Sequence, residues 1–456
     1  MSTTPALGSF DEAHVRSLSE SMREPSWLTS FRLQSLADFA SLPHEKNPLY
    51  TKYVRTFDFD LGEFDSKPAP EEVDFRGFFS GVLTGKERNI ALQANGALVH
   101  SELDDDIGKL GVKLTSLGDA IVQDEGFVRK IFGQRQIKSG SDRMAAFVNA
   151  FFNCGTIVRI PRGVAVDRPL RRMLLLDAPK SGIVEQNFLV AEEASSVNFL
   201  EEFYSKGTQS SAALVASNTE IVAGASSHVD FSSVQLLDSM TTCVANRAID
   251  SANDSHTTMS ALCLGANVLR SRTNFYLNGR GSVAEGFEIF FTDGKQRYDF
   301  ETNLVHNSPD STGSTQARGV LKGESQSIFK GMIKIINSAK NSRSYLAHHA
   351  MLLERTAKSD AVPSLEIDNN EVRATHSASV AQIDDEQLFY LMARGLPPDE
   401  AKRMVVVGFF EPVLSRVPIE QTRDGARFMI EGKWQGEKRR LVDRESLLAS
   451  TGEVTE

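Results

Sequence analysis

The sequence predicts a mainly β chain with flanking helices: a right-handed parallel β-helix core between an N-terminal helical region and a C-terminal helical domain. Three observations lead there. Between residues 155 and 380, short segments rich in Val, Ile, Thr, Ser and Phe succeed one another, punctuated by Gly, Asn and Asp, with no helical periodicity between them. Only Asn278-Gly279 and Asp293-Gly294 in that stretch, with Asn95-Gly96 ahead of it, have the character of tight hairpin turns. Spacings of three and four return on both flanks. A sandwich needs more hairpins than this. A parallel β-helix does not, because each coil stacks on the last at about 4.8 Å and its sequence period is often loose.

In chain order, residues 10–45 read as helix, with Leu18, Met22, Trp27, Leu28, Phe31, Leu33, Leu36, Phe39 and Leu42 at helical spacing and Pro25 in a first turn. Asp58–Glu72, bearing Pro68 and Pro70, reads as a linker, and residues 1–110 form the first region. Gly111–Thr115 reads as strand and Leu117–Phe132 as helix, and the core runs over 111–380. Residues 381–456 form the last region. There Asp384–Arg394 begins with acids at the dipole-positive end, carries Leu388, Leu391 and Met392 on one face, and closes at Gly395. A second helix starts at Pro397-Pro398 and runs through Met404 to Phe410, with Pro412 and Pro418 bracketing the next segment. A charged tail ends the chain.

Composition excludes several classes. The chain has 456 residues, 41% hydrophobic and 24% charged, and 60 acids against 50 Lys and Arg leave a net charge of −10. Neither a nucleic-acid surface nor an acidic membrane partner is expected of that balance. Cys154, Cys243 and Cys263 are too few and too far apart for a disulfide framework or a zinc knuckle. The opening MSTTPALGSFDEAH has no basic-then-apolar leader, and no apolar run approaches the ~20 residues of a membrane helix, so a cytoplasmic chain is expected. Gly81–Glu87 falls one residue short of a P-loop, Gly279-Arg-Gly281 lacks a third glycine, His44-Glu45 lacks the second zincin histidine, and no G-x-S-x-G elbow occurs.

What chemistry remains is concentrated late in the β region: His306, His348, His349, Glu366, Asp368 and His376. Imidazoles satisfied by backbone carbonyls would account for the four histidines. Against that, neighbouring strand residues face opposite ways, so His348 and His349 cannot both be buried. His349 and His376 stand 27 residues apart, about one coil, which predicts neighbouring rungs. Imidazole with carboxylate suits iron or zinc. All three cysteines lie upstream, so a sulfur-ligated iron site would have to be shared at an interface.

Phe151-Phe-Asn-Cys-Gly-Thr-Ile-Val-Arg-Ile-Pro-Arg-Gly-Val and Asn187-Phe-Leu-Val-Ala-Glu-Glu-Ala-Ser-Ser-Val resemble the β-helical core of the SufB/SufD family of iron–sulfur cluster assembly proteins. The resemblance covers roughly residues 15–420. It is densest in Pro363-Ser-Leu-Glu-Ile-Asp-Asn-Asn-Glu-Val-Arg-Ala-Thr-His376 and Ile383-Asp-Asp-Glu-Gln-Leu-Phe-Tyr-Leu-Met-Ala-Arg-Gly395. The run Leu-Glu-Ile-Asp-x-x-Glu-Val-x-x-x-His has the form of the SufD branch. Ala374 stands where many members of that branch carry cysteine, and Ser377 where they carry glycine.

The resemblance implies a non-catalytic scaffold subunit. It would pair with a SufB-like paralogue through the last β-helix strands, and its C-terminal helices would receive the ABC-type ATPase SufC. A nascent iron–sulfur cluster would be shared with the partner, none being held tightly by the isolated chain. His376 is the candidate iron or cluster ligand, with His348 and His349 as further candidates. Leu388, Phe389, Leu391 and Arg394 are candidates for the ATPase dock, although ordinary packing onto the β-helix end would use the same apolar side chains. Two alternatives stand beside this: a SufB-like or homodimeric scaffold that holds a cluster itself, and a carbohydrate-active β-helix enzyme, which would need clustered carboxylates in an open groove.

Overall fold

Six successive corners of the chain turn on residues in the left-handed backbone region: Ala194, Ser226, Asp254, Gly281, Asp310 and Asn341, with φ between 54° and 70°. Each donates its N–H across to the neighbouring coil, as Ala194 does to Ala225 O and Asp310 to Lys340 O, both at 2.8 Å. Gly281 takes this conformation without a Cβ penalty, and Asp254, Asp310 and Asn341 are of the types that tolerate it best. The corners recur at 27 to 32 residues, so the coil is regular in space while the sequence period is not.

The computed structural model describes residues 10–43, 64, 88–177, 180–205 and 212–437. The expected linker Asp58–Glu72, Phe64 apart, and the tail beyond 437 lie outside these, as do His44-Glu45 and Gly81–Glu87. Two sheets face each other across a filled lumen. The first strands are β1 (Ile90–Ala94), β2 (Ala97–Glu102), β3 (Lys113–Ser116), β4 (Thr156–Ile160), β5 (Leu170–Leu176), β6 (Gly182–Ala191) and β7 (Ser196–Ser205). Next come β8 (Ala213–Ala223), β9 (His228–Leu236), β10 (Thr241–Ser251), β11 (His256–Cys263), β12 (Val268–Leu277) and β13 (Val283–Thr292). The run closes with β14 (Arg297–His306), β15 (Thr312–Leu321), β16 (Gln326–Ile335), β17 (Arg343–Leu352), β18 (Lys358–Ile367) and β19 (Arg373–Gln382). One sheet has the order β19-β17-β15-β13-β11-β9-β7-β5-β1-β2 and the other β18-β16-β14-β12-β10-β8-β6-β4-β3. Pairing is parallel except for β1 with β2 and β3 with β4. The expected parallel β-helix is therefore the fold, and its first strands stand ahead of residue 111. Asn95-Gly96 turns the hairpin between β1 and β2, both with positive φ.

Alternate residues of each strand fill the lumen in columns that run from coil to coil. Phe199 and Phe231 stack at 5.7 Å, and Phe290 packs against Phe300 at 4.8 Å. Glycines leave room for these rings: a Cβ on Gly319 would land inside the Phe290 ring. Each large apolar side chain removed from water this way contributes roughly 1.5–3 kcal/mol.

Helices flank the start of the solenoid. They are α1 (Glu12–Ser21), α2 (Ser26–Ser41), α3 (Asp105–Lys109), α4 (Leu117–Gln123), α5 (Glu125–Gln134) and α6 (Arg143–Phe151). Phe10, Phe39, Phe132, Phe147 and Phe151 from this region pack on Val184, Phe188 and Leu214 of the second sheet. The span 10–45 is two helices, because Pro25 is the extended N-cap residue of α2 and lies outside its first turn. Leu117–Phe132 likewise breaks at Asp124, whose carboxylate caps α5 by accepting from Phe127 N at 3.1 Å.

On the opposite face lie α7 (Asp385–Ala393), α8 (Pro398–Leu414) and α9 (Glu420–Trp434). Val406, Phe410, Met429 and Ile430 cover Leu262, Phe287, Ile289 and Val320 of the first sheet. Gly395 follows α7 with φ 95°, as its sequence position suggests. Pro412 does not open the segment after α8, as the sequence suggests, because the helix runs on to Leu414. It lies inside the last turn, where it removes only the donor to the Gly408 carbonyl. No described helix is long and apolar enough to cross a membrane.

Candidate functional site

Among the described residues the solenoid ends without a further coil. β18 and β19 are the outermost strands of the two sheets, so each presents an edge with no strand beyond it among the described residues. Most of their residues are exposed or half-buried, and Leu365, Ile367 and Val380 are exposed apolar side chains at this end. The inward column of β17, which is Ser344, Leu346, His348 and Ala350, continues onto β19 as Ala374, His376, Ala378 and Val380. His376 thus holds a lumen-facing register position but is exposed, because no further coil of the described residues lies over it.

The six groups singled out from the sequence do not converge. His348 is fully buried, stacked on Phe329 at 4.5 Å and on Phe290 at 6.3 Å, with neither ring nitrogen hydrogen-bonded to any described residue. Burial pushes its imidazole down to about 3, helped by neighbouring His349, so it is neutral. His349 faces the other way, half-buried, its Nδ1 2.7 Å from Ser379 Oγ of β19. Burial and the adjacent Arg318 hold it below the ordinary imidazole value. Arg318 in turn donates to the Phe409 carbonyl of α8.

His349 and His376 do not stack on neighbouring rungs. The register partner of His376 is Leu346 and that of His349 is Ser379, so one coil is 30 residues at this end rather than 27. The two histidines point to opposite faces and cannot share a ligand. His306 is a lumen residue between the Ser311 and Ser344 hydroxyls, at 2.8 and 3.0 Å. Glu366 pairs on the outer face with Lys334 Nζ at 2.6 Å, and Asp368 is exposed at the following turn.

Among the described residues no group of three or more His, Cys, Asp or Glu side chains is placed to hold a metal ion. Cys154, Cys243 and Cys263 are free and buried. Burial pushes the Cys243 thiol up to about 12 and raises the other two as well, which disfavours the thiolate that ligates iron.

The second cluster of expected residues lies on α7. Leu388 is buried with Ile383, Ala401, Met351 and Leu353, and Leu391 packs against the same group. These two hold α7 to the solenoid end and do not face outward. Phe389 is 73% exposed, with Tyr390, Met392 and Met404 also exposed beside it in sequence or on α8. Arg394 is exposed and lies over the Tyr390 ring at 5.0 Å. Tyr390 and Met404 are not separable from packing residues by periodicity alone. Their signal is a surplus of large apolar side chains beyond the one stripe a short helix buries.

Comparison with known proteins agrees with this architecture. Residues 174–409, from the middle of β5 to α8, match the family model described as SUF system FeS cluster assembly, SufBD core domain. A relative from Bacillus subtilis, the iron-sulfur cluster assembly protein SufD, is 28% identical over 432 residues, covering 93% of this chain and 98% of its own. SufBD family proteins of Staphylococcus epidermidis and Staphylococcus saprophyticus are each 24% identical over 420 residues, covering 89% of both chains. With a stacked two-sheet solenoid, an open terminal coil and a helical C-terminal block all within or beside the matched span, the chain belongs to the SufBD core family of SUF-system iron–sulfur cluster assembly proteins.

Proposed function

We propose that this chain is a SufD-type scaffold subunit, itself non-catalytic, that assists ATP-dependent assembly of nascent iron–sulfur clusters at a seam with a SufB-like paralogue. The observation that carries the reading is the uncapped terminal coil. Two parallel-sheet edges with exposed Leu365, Ile367 and Val380 are a liability in a solitary chain and a template for adding strands from another. His376 lies on that coil in the inward column, so a paired chain would enclose it. The cluster is cargo, and its sulfur ligands come from the partner, since this chain's thiols are buried.

The ATPase reading rests on α7 and α8. Phe389, Tyr390, Met392 and Met404 offer an aromatic and methionine surface of the kind that interfaces concentrate, and a SufC-like ABC-type ATPase is the partner we assign to it. Because α7 begins only three residues after β19 ends, movement of the docked motor would pull on the strand that carries His376. A homodimeric scaffold is the second reading, favoured by the same edges, which are compatible with self-pairing about a two-fold axis. Co-expression with a SufB-like paralogue tests both. Wild type should form a one-to-one complex that the double variant Leu365→Lys, Val380→Lys loses while staying folded, whereas a stable dimer of the isolated chain that excludes the paralogue favours the second reading.

A further inference from the structure

A cleft of about 420 Å³ opens where the chain enters β17 and β19, lined by Asn341, Arg343, Asn370, Glu371 and Arg373. Arg343 and Arg373 are register partners on adjacent parallel strands, at the outward position that precedes Tyr345 and Thr375. Their backbones are fixed by Arg343 N to Ser311 O at 2.9 Å and Arg373 N to Ser342 O at 3.0 Å. Two like charges are therefore held one rung apart, about 4.8 Å, on a rigid ladder. Directly opposed like charges destabilise a sheet, so this pair has a cost that the fold does not relieve.

The neighbouring cations of the same rim are relieved. Arg280 pairs with Asp310 at 2.8 Å, Lys334 with Glu366 at 2.6 Å and Lys340 with Glu371 at 3.2 Å. Arg343 and Arg373 are both exposed and make no ion pair or side-chain hydrogen bond with any described residue. Glu371, the acid of the cleft, is taken by Lys340, and so leaves two guanidinium charges facing open space beside the Asn370 amide.

We propose that Arg343 and Arg373 form a binding site for a phosphate-class dianion. Two guanidinium forks a rung apart can each offer paired N–H donors to a tetrahedral oxyanion, matching its two charges, and arginine presents that fork where lysine presents only a point charge. The site lies on this chain alone and does not depend on the cluster-assembly reading.

Equilibrium dialysis of the full-length chain against labelled orthophosphate, at constant ionic strength set with chloride, tests it. Saturable retention is expected for the wild type. Arg343→Gln and Arg373→Gln should each weaken it about tenfold, and the double variant should abolish it with an unchanged circular dichroism spectrum and a melting temperature no lower than that of the wild type, since the opposed like charges are gone. The double lysine variant, which keeps the charge, should bind more weakly than wild type and better than the double glutamine variant. Absence of saturable retention by the wild type, equal retention by the double glutamine variant, or equally tight retention of acetate would overturn the assignment.

Discussion

His376 stands one strand beyond Leu346 in the same inward column, Leu346 buried and His376 exposed. The difference is made by β19 being the last strand of its sheet among the described residues and not by the side chains, so a residue in a lumen-facing column is left exposed. His376→Ala should leave the melting temperature unchanged, because the imidazole buries little and has no hydrogen-bond partner among the described residues to lose. Cluster assembly by the reconstituted complex should fall at least about tenfold, the scale on which ligand-sphere changes act. Assembly at the wild-type rate would remove His376 from the mechanism.

The α7 surface divides into an anchoring side and a free side, and the two should respond differently. Phe389→Asp with Met392→Asp should abolish co-purification of the ATPase without moving the melting temperature, since both side chains are exposed. Leu388→Asp should instead lower stability by roughly 2–5 kcal/mol, because it places a carboxylate among Ile383, Ala401 and Leu353. Retention of the ATPase by the double aspartate variant would put the dock elsewhere.

Why the first distinction escapes the sequence is clear from the helix itself. Spacing identifies a face but not which neighbouring element covers it, so Leu388 and Leu391 look as suitable for a partner as Phe389 does. The solenoid is legible because its strands are short, β-rich and nearly free of hairpin turns. The coil length is not, because corners at 27 to 32 residues defeat a fixed period. An error of three residues, being odd, reverses which face of the strand a side chain takes, and so sets His376 under Leu346 and away from His349. The opening hairpin of β1 and β2 has a visible Asn95-Gly96 turn, yet its strand pairs with β5 some 80 residues later, which no local pattern encodes. The unpaired arginines are invisible for the same reason, since Arg343 and Arg373 meet only through register.

Lumen packing gives a sharper test of the coil geometry. Phe290 is fixed by Phe300, Tyr298 and His348, so it has nowhere to move when Gly319 gains a methyl group. Gly319→Ala should therefore cost about 1–3 kcal/mol in urea unfolding, although alanine in an ordinary strand costs nothing of the kind. An unchanged midpoint would mean that the ring swings clear, and that the columns are looser than they look.

Glu288 offers a pH signature from the same lumen. It is buried, accepts from Thr302 Oγ1 at 3.0 Å, and leaves its other oxygen without a hydrogen-bond partner among the described residues. Burial pushes its carboxyl up to about 7 from the ordinary 4.5, against the smaller opposing pulls of Thr302 and Arg247. Between those two values the folded chain binds more protons at this site than the unfolded chain, so stability falls as pH rises through that window. Glu288→Gln keeps the shape and the Thr302 bond but cannot ionise. Relative to wild type, it should gain roughly 1–3 kcal/mol on going from pH 5 to pH 8.5. Every other titrating group is common to both proteins and drops out of the comparison. A stability difference that is the same at both pH values would mean that Glu288 titrates normally, and that water or a rearranged partner reaches it in the lumen.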